Sequence, residues 1–190
     1  MTDQFPPIIL ASKSPRRQEL LKLMGIDFRV VLKEVEETYP ANLTPAQIAI
    51  YISEKKAKAF DDFIGNELVI TADTIVSINQ QILGKPENEK HAFEILSTLS
   101  GNKHDVITAV SLVKNGQIHS FYEVSEVFFR VITPAQIRYY IANGNPMDKA
   151  GAYGIQEWIG LIAIEKINGS YTNVVGLPTH RLYQELCRLA

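Results

Sequence analysis

Signals for strands and helices alternate along the chain, and this alternation restricts the fold more than any other feature of the sequence. An apolar, strand-like run at residues 8–11 leads directly into a helix start at residues 14–15. Further helix starts at residues 44–47 and 133–136 both read Thr-Pro-Ala-Gln, which is typical of a capping box with proline at the first helical position. We therefore predict an α/β fold in which helices flank a β-sheet.

Apolar spacing and turn residues predict the remaining elements. Helices are expected at residues 15–24, from 45, at 89–99, from 134 and from 178 to the end; strands are expected at residues 8–11, 28–32, 68–78, 106–113, 118–131 and 161–167. Asn-Gly pairs at residues 115–116 and 168–169 are typical of type I′ turns and predict two hairpins, hence a mixed sheet. Because no linker divides the chain, residues 1–190 are predicted to form a single domain.

The composition narrows the class of ligand. A chain of 190 residues with 46% hydrophobic and 21% charged residues can bury a sizeable core. The formal net charge of −2 argues against binding a nucleic-acid polymer, for which a basic surface and a strong salt dependence would be expected. A small anion in a local basic pocket fits this charge better.

The sequence also carries an expectation about the compartment. Residues 1–7 lack the basic start and apolar core of a signal peptide, and no apolar run reaches transmembrane length, so no membrane is expected as a partner. The single cysteine, Cys187, is compatible with a reducing compartment. We expect a cytoplasmic protein, with Cys187 packed among leucines at helical spacing; a reactive thiol is the alternative.

Residues 12–17, Ser-Lys-Ser-Pro-Arg-Arg, are the first candidate binding segment. Ser14 is a good N-cap, and the unpaired N–H groups of a helix start favour a bound anion. Arg16 and Arg17 add forked, permanently charged donors that match phosphate oxygens. A phosphate site and an ordinary capped helix with surface arginines both fit this segment.

Asp73 interrupts an apolar, β-branched run and is the first candidate for a catalytic or metal-binding residue. A buried unpaired carboxylate is costly, so Asp73 should have a partner or a metal; a strand-end turn cap is the alternative. Glu34, Glu36 and Glu37 follow the second strand and could simply form a solvated face. If one of them reaches Asp73, the two carboxylates could bind Mg²⁺ together with a substrate phosphate.

Lysines and a glycine-rich segment complete the candidates. Lys55, Lys56 and Lys58 form a helical run of the kind that usually serves solubility, whereas Lys85, between a glycine and a proline, is better placed for phosphate. Residues 151–156 end in an amide that can donate to and accept from a base edge, although an ordinary loop is the alternative. Neither a P-loop nor a dinucleotide-binding glycine motif is present, and the four histidines lack the spacing of zinc ligands.

Taken together, these segments closely resemble the Maf family of nucleoside triphosphate pyrophosphatases. The matching motifs occur in the family's order and span nearly the whole chain: residues 11–21, 71–76, 84–86, 148–156 and 168–178. The resemblance implies an elongated mixed sheet flanked by helices, like that of inosine triphosphate pyrophosphatases, and hydrolysis of a nucleoside triphosphate to the monophosphate and pyrophosphate. It also implies a divalent metal cation, Mg²⁺ or Mn²⁺, and allows a homodimer.

The resemblance assigns roles to individual residues. Asp73 matches the catalytic base, and Glu37 matches a carboxylate that helps to form the metal and active site. Residues matching phosphate-contacting or catalytic positions are Ser12, Arg16, Lys56 and Lys85. Positions associated with base selection are Arg16, Thr74 and Gln156. Arg17 is expected to be only a supporting charge.

The Gly-Ile-Gln form of residues 154–156 is similar to the family branch that acts on dTTP and UTP; the 7-methyl-GTP branch carries a different segment there. Glu157 departs from that branch, which usually has glycine at this position, and a charged side chain there could alter the loop or screen the pocket. We therefore expect a metal-dependent dTTP/UTP pyrophosphatase, with modified pyrimidine nucleotides as further candidate substrates. The alternatives are a 7-methyl-GTP-type pyrophosphatase and a nucleotide-binding regulator of cell division that lacks turnover.

Overall fold

A computed structural model describes residues 5–60 and 66–189, which form seven strands and seven α-helices. The strands are β1 (Ile8–Leu10), β2 (Phe28–Val30), β3 (Leu68–Ile78), β4 (Gln81–Leu83), β5 (Lys103–Lys114), β6 (Gln117–Phe129) and β7 (Ile164–Asn168). The helices are α1 (Pro15–Leu23), α2 (Pro45–Lys58), α3 (Glu89–Leu99), α4 (Pro134–Asn143), α5 (Trp158–Ala163), α6 (Tyr171–Val175) and α7 (Thr179–Leu189). Two short 3-10 turns, Pro146–Asp148 and Ala150–Ala152, lie between α4 and α5.

All seven strands belong to one mixed sheet. Its order is β2-β1-β3-β5-β6-β7, and β4 pairs with β3 beside this path. Strand β1 runs parallel to both β2 and β3, whereas the pairs β3–β4 and β6–β7 are antiparallel. The predicted α/β fold with a mixed sheet flanked by helices is confirmed.

The described chain divides into two compact units. The first unit contains the residues up to Asp73, Thr108–Glu123, and those from Gly176 onwards. The second unit contains Thr74–Ile107 and Val124–Val175. That residues 1–190 act as a single domain stays a prediction.

Each unit has its own buried apolar residues. In the first unit, β1 lies between two parallel strands and all three of its side chains are buried, as expected for a strand that is covered on both faces. In the second unit, helices α3 and α4 bury Leu96, Leu99, Ile137 and Tyr140. These cores hold the backbone segments that carry the candidate site residues.

Local capping chemistry explains where the helices begin. The hydroxyls of Thr44 and Thr133 each accept a hydrogen bond from the third helical N–H. The side-chain oxygens of Gln47 and Gln136 accept one from the N–H of the cap residue, so both predicted capping boxes are confirmed. Proline occupies the start of α1, α2 and α4, where its missing N–H costs nothing.

The two predicted Asn-Gly turns behave differently. Asn115 and Gly116 have φ values of 51° and 73°, which fits a type I′ turn between β5 and β6 and confirms that hairpin. The hairpin predicted at residues 168–169 is wrong, because helix α6 follows there. A Cβ at Gly169 would lie 2.6 Å from Ser125 Oγ, and the Ser170 N–H donates to this hydroxyl at 3.0 Å. The chain is therefore held against Ser125 and does not turn back.

Other differences from the predicted elements are local. The strand predicted at residues 161–167 begins only at Ile164, because Trp158–Ala163 forms α5. Strand β4 was not predicted: its turn uses Asn79 and Gln80, with φ values of 50° and 67°, and contains no glycine.

The prediction that Cys187 packs in the core is wrong, because Cys187 is exposed. Helix α7 turns Leu182, Glu185 and Leu186 inward, and Cys187 lies about 100° around the helix from Leu186. In the described residues, no helix combines the length and apolarity needed to cross a bilayer.

Candidate functional site

The segment after β1 places polar groups at the start of α1. Ser14 caps the helix, since its Oγ accepts a hydrogen bond from the Arg17 N–H at 3.4 Å, and Pro15 follows as the first helical residue. Ser12 is 7% exposed, and its Oγ accepts a hydrogen bond from the Ser14 N–H at 3.3 Å. A helix start of this kind is suited to an anion.

Arg17 fixes this helix start, a role that sequence reasoning missed. Its guanidinium donates to the carbonyl oxygens of Gly176 at 2.8 Å and Ala72 at 2.9 Å, and to Ser12 Oγ at 3.2 Å. Burial lowers the pKa of Arg17, while the nearby charge of Asp73 raises it; the guanidinium remains charged at neutral pH. Arg17 therefore ties Ser12 to the middle of β3, where Ala72 precedes Asp73.

Arg16, the second residue of α1, is half-buried. It precedes the bracing Arg17 on the same helix, about 100° around the axis, so the two guanidiniums leave the helix in different directions. The contact of Arg16 with phosphate and base stays a prediction.

Lys56 brings the two predicted acids together. Its Nζ lies 2.7 Å from Glu37 Oε1 and 2.8 Å from Asp73 Oδ1. Helix α2 supplies the lysine, β3 supplies Asp73, and Glu37 comes from the segment between β2 and α2. The prediction that Asp73 has a partner is confirmed, and we call these three residues the Lys56 cluster.

The three side chains of the Lys56 cluster differ in their exposure to solvent. The Asp73 side chain is 11% exposed, Lys56 17% and Glu37 47%. Burial raises the pKa of Asp73, and the positive charge and hydrogen bond of Lys56 oppose that rise. A carboxylate with a raised pKa is a stronger base, which suits it to accept a proton from water near neutral pH.

The other predicted site residues lie in the second unit. Thr74 follows Asp73 on β3 and is half-buried, whereas Lys85 and Gln156 are exposed. The loop of Lys85 is attached to the glycine-rich segment, because the Gly151 N–H donates to the Gly84 carbonyl at 3.2 Å. The second unit therefore carries Lys85 and Gln156 on loops that its own backbone contacts hold.

The side chain of Glu157 contacts two other residues of the second unit. Its carboxylate contacts Lys149 Nζ at 2.7 Å and accepts a hydrogen bond from the Tyr140 hydroxyl. That the charge of Glu157 alters the loop or screens a pocket stays a prediction.

Oxygen donors suitable for a hard cation are present in the first unit. Mg²⁺ is commonly bound by one or two carboxylates, with waters and substrate phosphates completing its octahedron. Asp73 and Glu37 both lie within hydrogen-bonding distance of one nitrogen, so they can face one cation, and each carboxylate has a second oxygen. The donor set fits a divalent metal that is shared with a phosphate; no larger group of metal-ligating side chains occurs among residues 5–60 and 66–189.

Several curated proteins are similar to this chain over nearly its whole length. A protein from Bacteroides thetaiotaomicron named "dTTP/UTP pyrophosphatase" is 50% identical over 184 residues, covering 96% of this chain and 95% of the relative. A protein of the same name from Phocaeicola vulgatus is 51% identical, and the match covers 96% of this chain and 95% of the relative. Another from Flavobacterium psychrophilum is 49% identical, and the match covers 93% of this chain and 91% of the relative.

The solved structure of the Staphylococcus aureus Ham1 protein is 19% identical, with a TM-score of 0.49, and the match covers 94% of this chain and 99% of that one. The family model described as "Maf-like protein" matches residues 7–189. That match covers almost the whole sequence, so the chain belongs to the Maf-like protein family.

Proposed function

We propose that this protein hydrolyses dTTP and UTP to the nucleoside monophosphate and pyrophosphate. The observation that carries the proposal is the Lys56 cluster, in which a buried carboxylate of raised pKa is paired with a lysine and a second acid. The names of relatives near 50% identity support the substrate assignment.

In the proposed mechanism, basic side chains neutralise the negative charge of the triphosphate before the reaction. Arg16, Lys56, Lys85 and the start of α1 bind its oxygens, with Ser12 as a further contact that Arg17 holds in place. Such positioning and charge neutralisation are the main requirement of phosphoryl-type transfer.

Asp73 acts as the general base. It takes a proton from a water molecule whose oxygen attacks the α-phosphorus. The bond from the α-phosphorus to the oxygen that bridges it to the β-phosphorus breaks, and pyrophosphate leaves with that oxygen. General-base assistance of this type contributes a factor of about 10²–10⁴ to the rate.

Asp73 and Glu37 would also hold a divalent cation, Mg²⁺ or Mn²⁺. When bound, the cation supplies charge neutralisation at the phosphate oxygens and orients the substrate. Through its contacts with both carboxylates, Lys56 keeps the two acids close enough to share such an ion.

Gln156, with Arg16 and Thr74, is proposed to select the base. Uracil and thymine present an N–H between two carbonyl oxygens, and a carboxamide can accept from that N–H and donate to a neighbouring carbonyl. Neutral cytosine has an acceptor in place of this N–H and a donor amine in place of one carbonyl, so an amide held in that one orientation discriminates against it.

The experiment incubates purified protein and Mg²⁺ with dTTP, UTP, CTP, GTP and 7-methyl-GTP, and quantifies pyrophosphate and orthophosphate separately. We expect equimolar pyrophosphate and monophosphate from dTTP and UTP. Pyrophosphate from 7-methyl-GTP in preference to dTTP would contradict the base assignment. No pyrophosphate from any nucleotide would contradict hydrolysis and favour a nucleotide-binding regulator of cell division.

The proposal includes a cytoplasmic location, where nucleoside triphosphates are abundant, and a homodimer. Cell fractionation tests the location. Sedimentation velocity tests the dimer, and a single species of about 21.3 kDa at micromolar concentration would contradict it.

A further inference from the structure

A second lysine-centred cluster lies in the second unit and takes no part in the proposed mechanism. Lys149 Nζ lies 2.6 Å from Asp148 Oδ1 and 2.7 Å from Glu157 Oε1, and it also donates to the Asn145 carbonyl. The Lys149 side chain is only 4% exposed. Because a buried ammonium is costly without partners, Lys149 holds the Glu157 carboxylate inward.

Tyr140 adds a second contact to the same carboxylate. Tyr140 is 1% exposed, and its hydroxyl donates to Glu157 Oε2. The same hydroxyl accepts a hydrogen bond from the Gly154 N–H at 3.3 Å. We call Tyr140, Asp148, Lys149 and Glu157 the Lys149 cluster; through Tyr140 it reaches the backbone two residues before Gln156.

The turn at residues 154–157 is packed tightly against this cluster. The Glu157 N–H donates to the Gly154 carbonyl at 3.0 Å, which closes the turn. A Cβ at Gly154 would lie 2.9 Å from Glu157 Cδ and 3.0 Å from Lys149 Cε, so the charged side chains lie directly on the turn backbone. Within this turn Ile155 is buried and Gln156 is exposed.

The place of Glu157 at the start of α5 does not explain where its carboxylate is directed. Glu157 is the N-cap residue of α5, yet its carboxylate makes no hydrogen bond to the helix N–H groups. It is used in the contacts with Lys149 and Tyr140.

We propose that Glu157 is a positioning residue that holds the Gln156 amide in the orientation needed to read the base. The inference rests on the proposed function, because it takes Gln156 as a base contact. Two-point hydrogen bonding to a base edge requires the amide to be held to within about 0.5 Å. The Lys149 cluster supplies the required precision by fixing the backbone on both sides of Gln156.

The test compares Glu157→Gln and Tyr140→Phe with wild-type protein and with Glu165→Gln as a matched control. Glu165 is exposed on β7 in the same unit and is not part of the Lys149 cluster. The readouts are kcat and KM for dTTP and UTP, and the inhibition constant of inorganic tripolyphosphate, which has the phosphates but no base. Circular dichroism and thermal unfolding verify that each variant is folded.

We expect Glu157→Gln to raise KM for both nucleotides roughly tenfold or more, since small misplacements of a positioning group are costly. Tyr140→Phe should raise KM in the same direction. The kcat values and the tripolyphosphate inhibition constant should change little, because the phosphate-binding cations are not part of the cluster. Glu165→Gln should behave as wild type.

Two results would overturn the inference. In one, nucleotide KM stays unchanged in both folded variants while the wild type is active. In the other, KM and the tripolyphosphate inhibition constant rise by the same factor, which indicates a general structural loss. A wild-type protein that releases no pyrophosphate from dTTP or UTP would instead overturn the proposed function itself, so the two failures are distinguishable.

Discussion

The Lys56 cluster and the Lys149 cluster each place one lysine between two carboxylates, but burial is distributed in opposite ways. In the Lys56 cluster the most buried member is an acid, Asp73, at 11% exposure, with Lys56 at 17% and Glu37 at 47%. Among the charged members of the Lys149 cluster the most buried is the lysine, at 4%, with Glu157 at 28% and Asp148 at 51%.

This difference separates a site suited to chemistry from one suited to positioning. Burial raises the pKa of Asp73, so its carboxylate has a higher proton affinity and can accept a proton during a reaction. A buried lysine between two acids holds its partners in place, and its ammonium is shielded from a substrate. We therefore propose that the same pair of residue types serves two purposes, according to which charged partner is buried.

The largest expected effect comes from Asp73→Asn. The substitution keeps size and hydrogen bonding but removes the base, so kcat should fall by about 10²–10⁴. The variant should remain folded, because burial disfavours the charge that is removed. Steady-state kinetics and thermal unfolding measure both effects, and Asp148→Asn in the other cluster is the matched control, with little change in kcat. Undiminished turnover in folded Asp73→Asn would contradict the base assignment.

Lys56→Met should shift the pH dependence of kcat. Burial raises the pKa of Asp73 and Lys56 lowers it, so removing the lysine raises that pKa further. The base is active only when deprotonated, and the acid limb of the pH–rate profile should therefore move to higher pH. Lys85→Met is the control: it should weaken substrate binding without moving the limb. An acid limb that is unchanged or lower in Lys56→Met would show that Asp73 does not control it.

The Lys149 cluster should respond differently to the loss of each partner. Glu157→Gln leaves a buried ammonium with one carboxylate, whereas Lys149→Met leaves two carboxylates that both reach solvent. We expect Glu157→Gln to cost about 1–3 kcal/mol of unfolding free energy, and Lys149→Met to cost less. Urea unfolding measures both values. The reverse order would contradict the view that the lysine is the most buried charged member.

The smallest effect is expected where both partners are exposed. Arg29 and Glu67 form a bidentate pair with N–O distances between 2.8 and 3.1 Å, but their side chains are 54% and 30% exposed. A double-mutant cycle with Arg29→Gln and Glu67→Gln should give a coupling energy of about 0.2–1 kcal/mol that falls with added salt. A coupling as large as that between Lys149 and Glu157 would weaken the argument from burial.

Much of the fold could be predicted because its signals are local. The capping boxes at Thr44 and Thr133 and the turn at Asn115 depend on residues within four positions of one another. The Asn-Gly pair at residues 168–169 misled because the decisive contact is with Ser125, more than forty positions earlier in the chain. A turn signal cannot report such a tertiary contact.

The site could be predicted only in part for a similar reason. Asp73 was identifiable because an acid in an apolar strand requires a partner, but the identity of that partner depends on how α2 packs. Neighbouring arginines at residues 16 and 17 look equivalent in sequence, and only the fold shows that Arg17 contacts Gly176. The Lys149–Glu157 pair left no local signal at all.

Hydrolysis of dTTP in water enriched in ¹⁸O tests the central claim most directly. If water attacks the α-phosphorus with Asp73 as the base, mass spectrometry will find one ¹⁸O in the thymidine monophosphate and none in pyrophosphate. Asp73→Asn will slow this labelling without moving it. Label in pyrophosphate, or in orthophosphate released from the γ position, would contradict the mechanism.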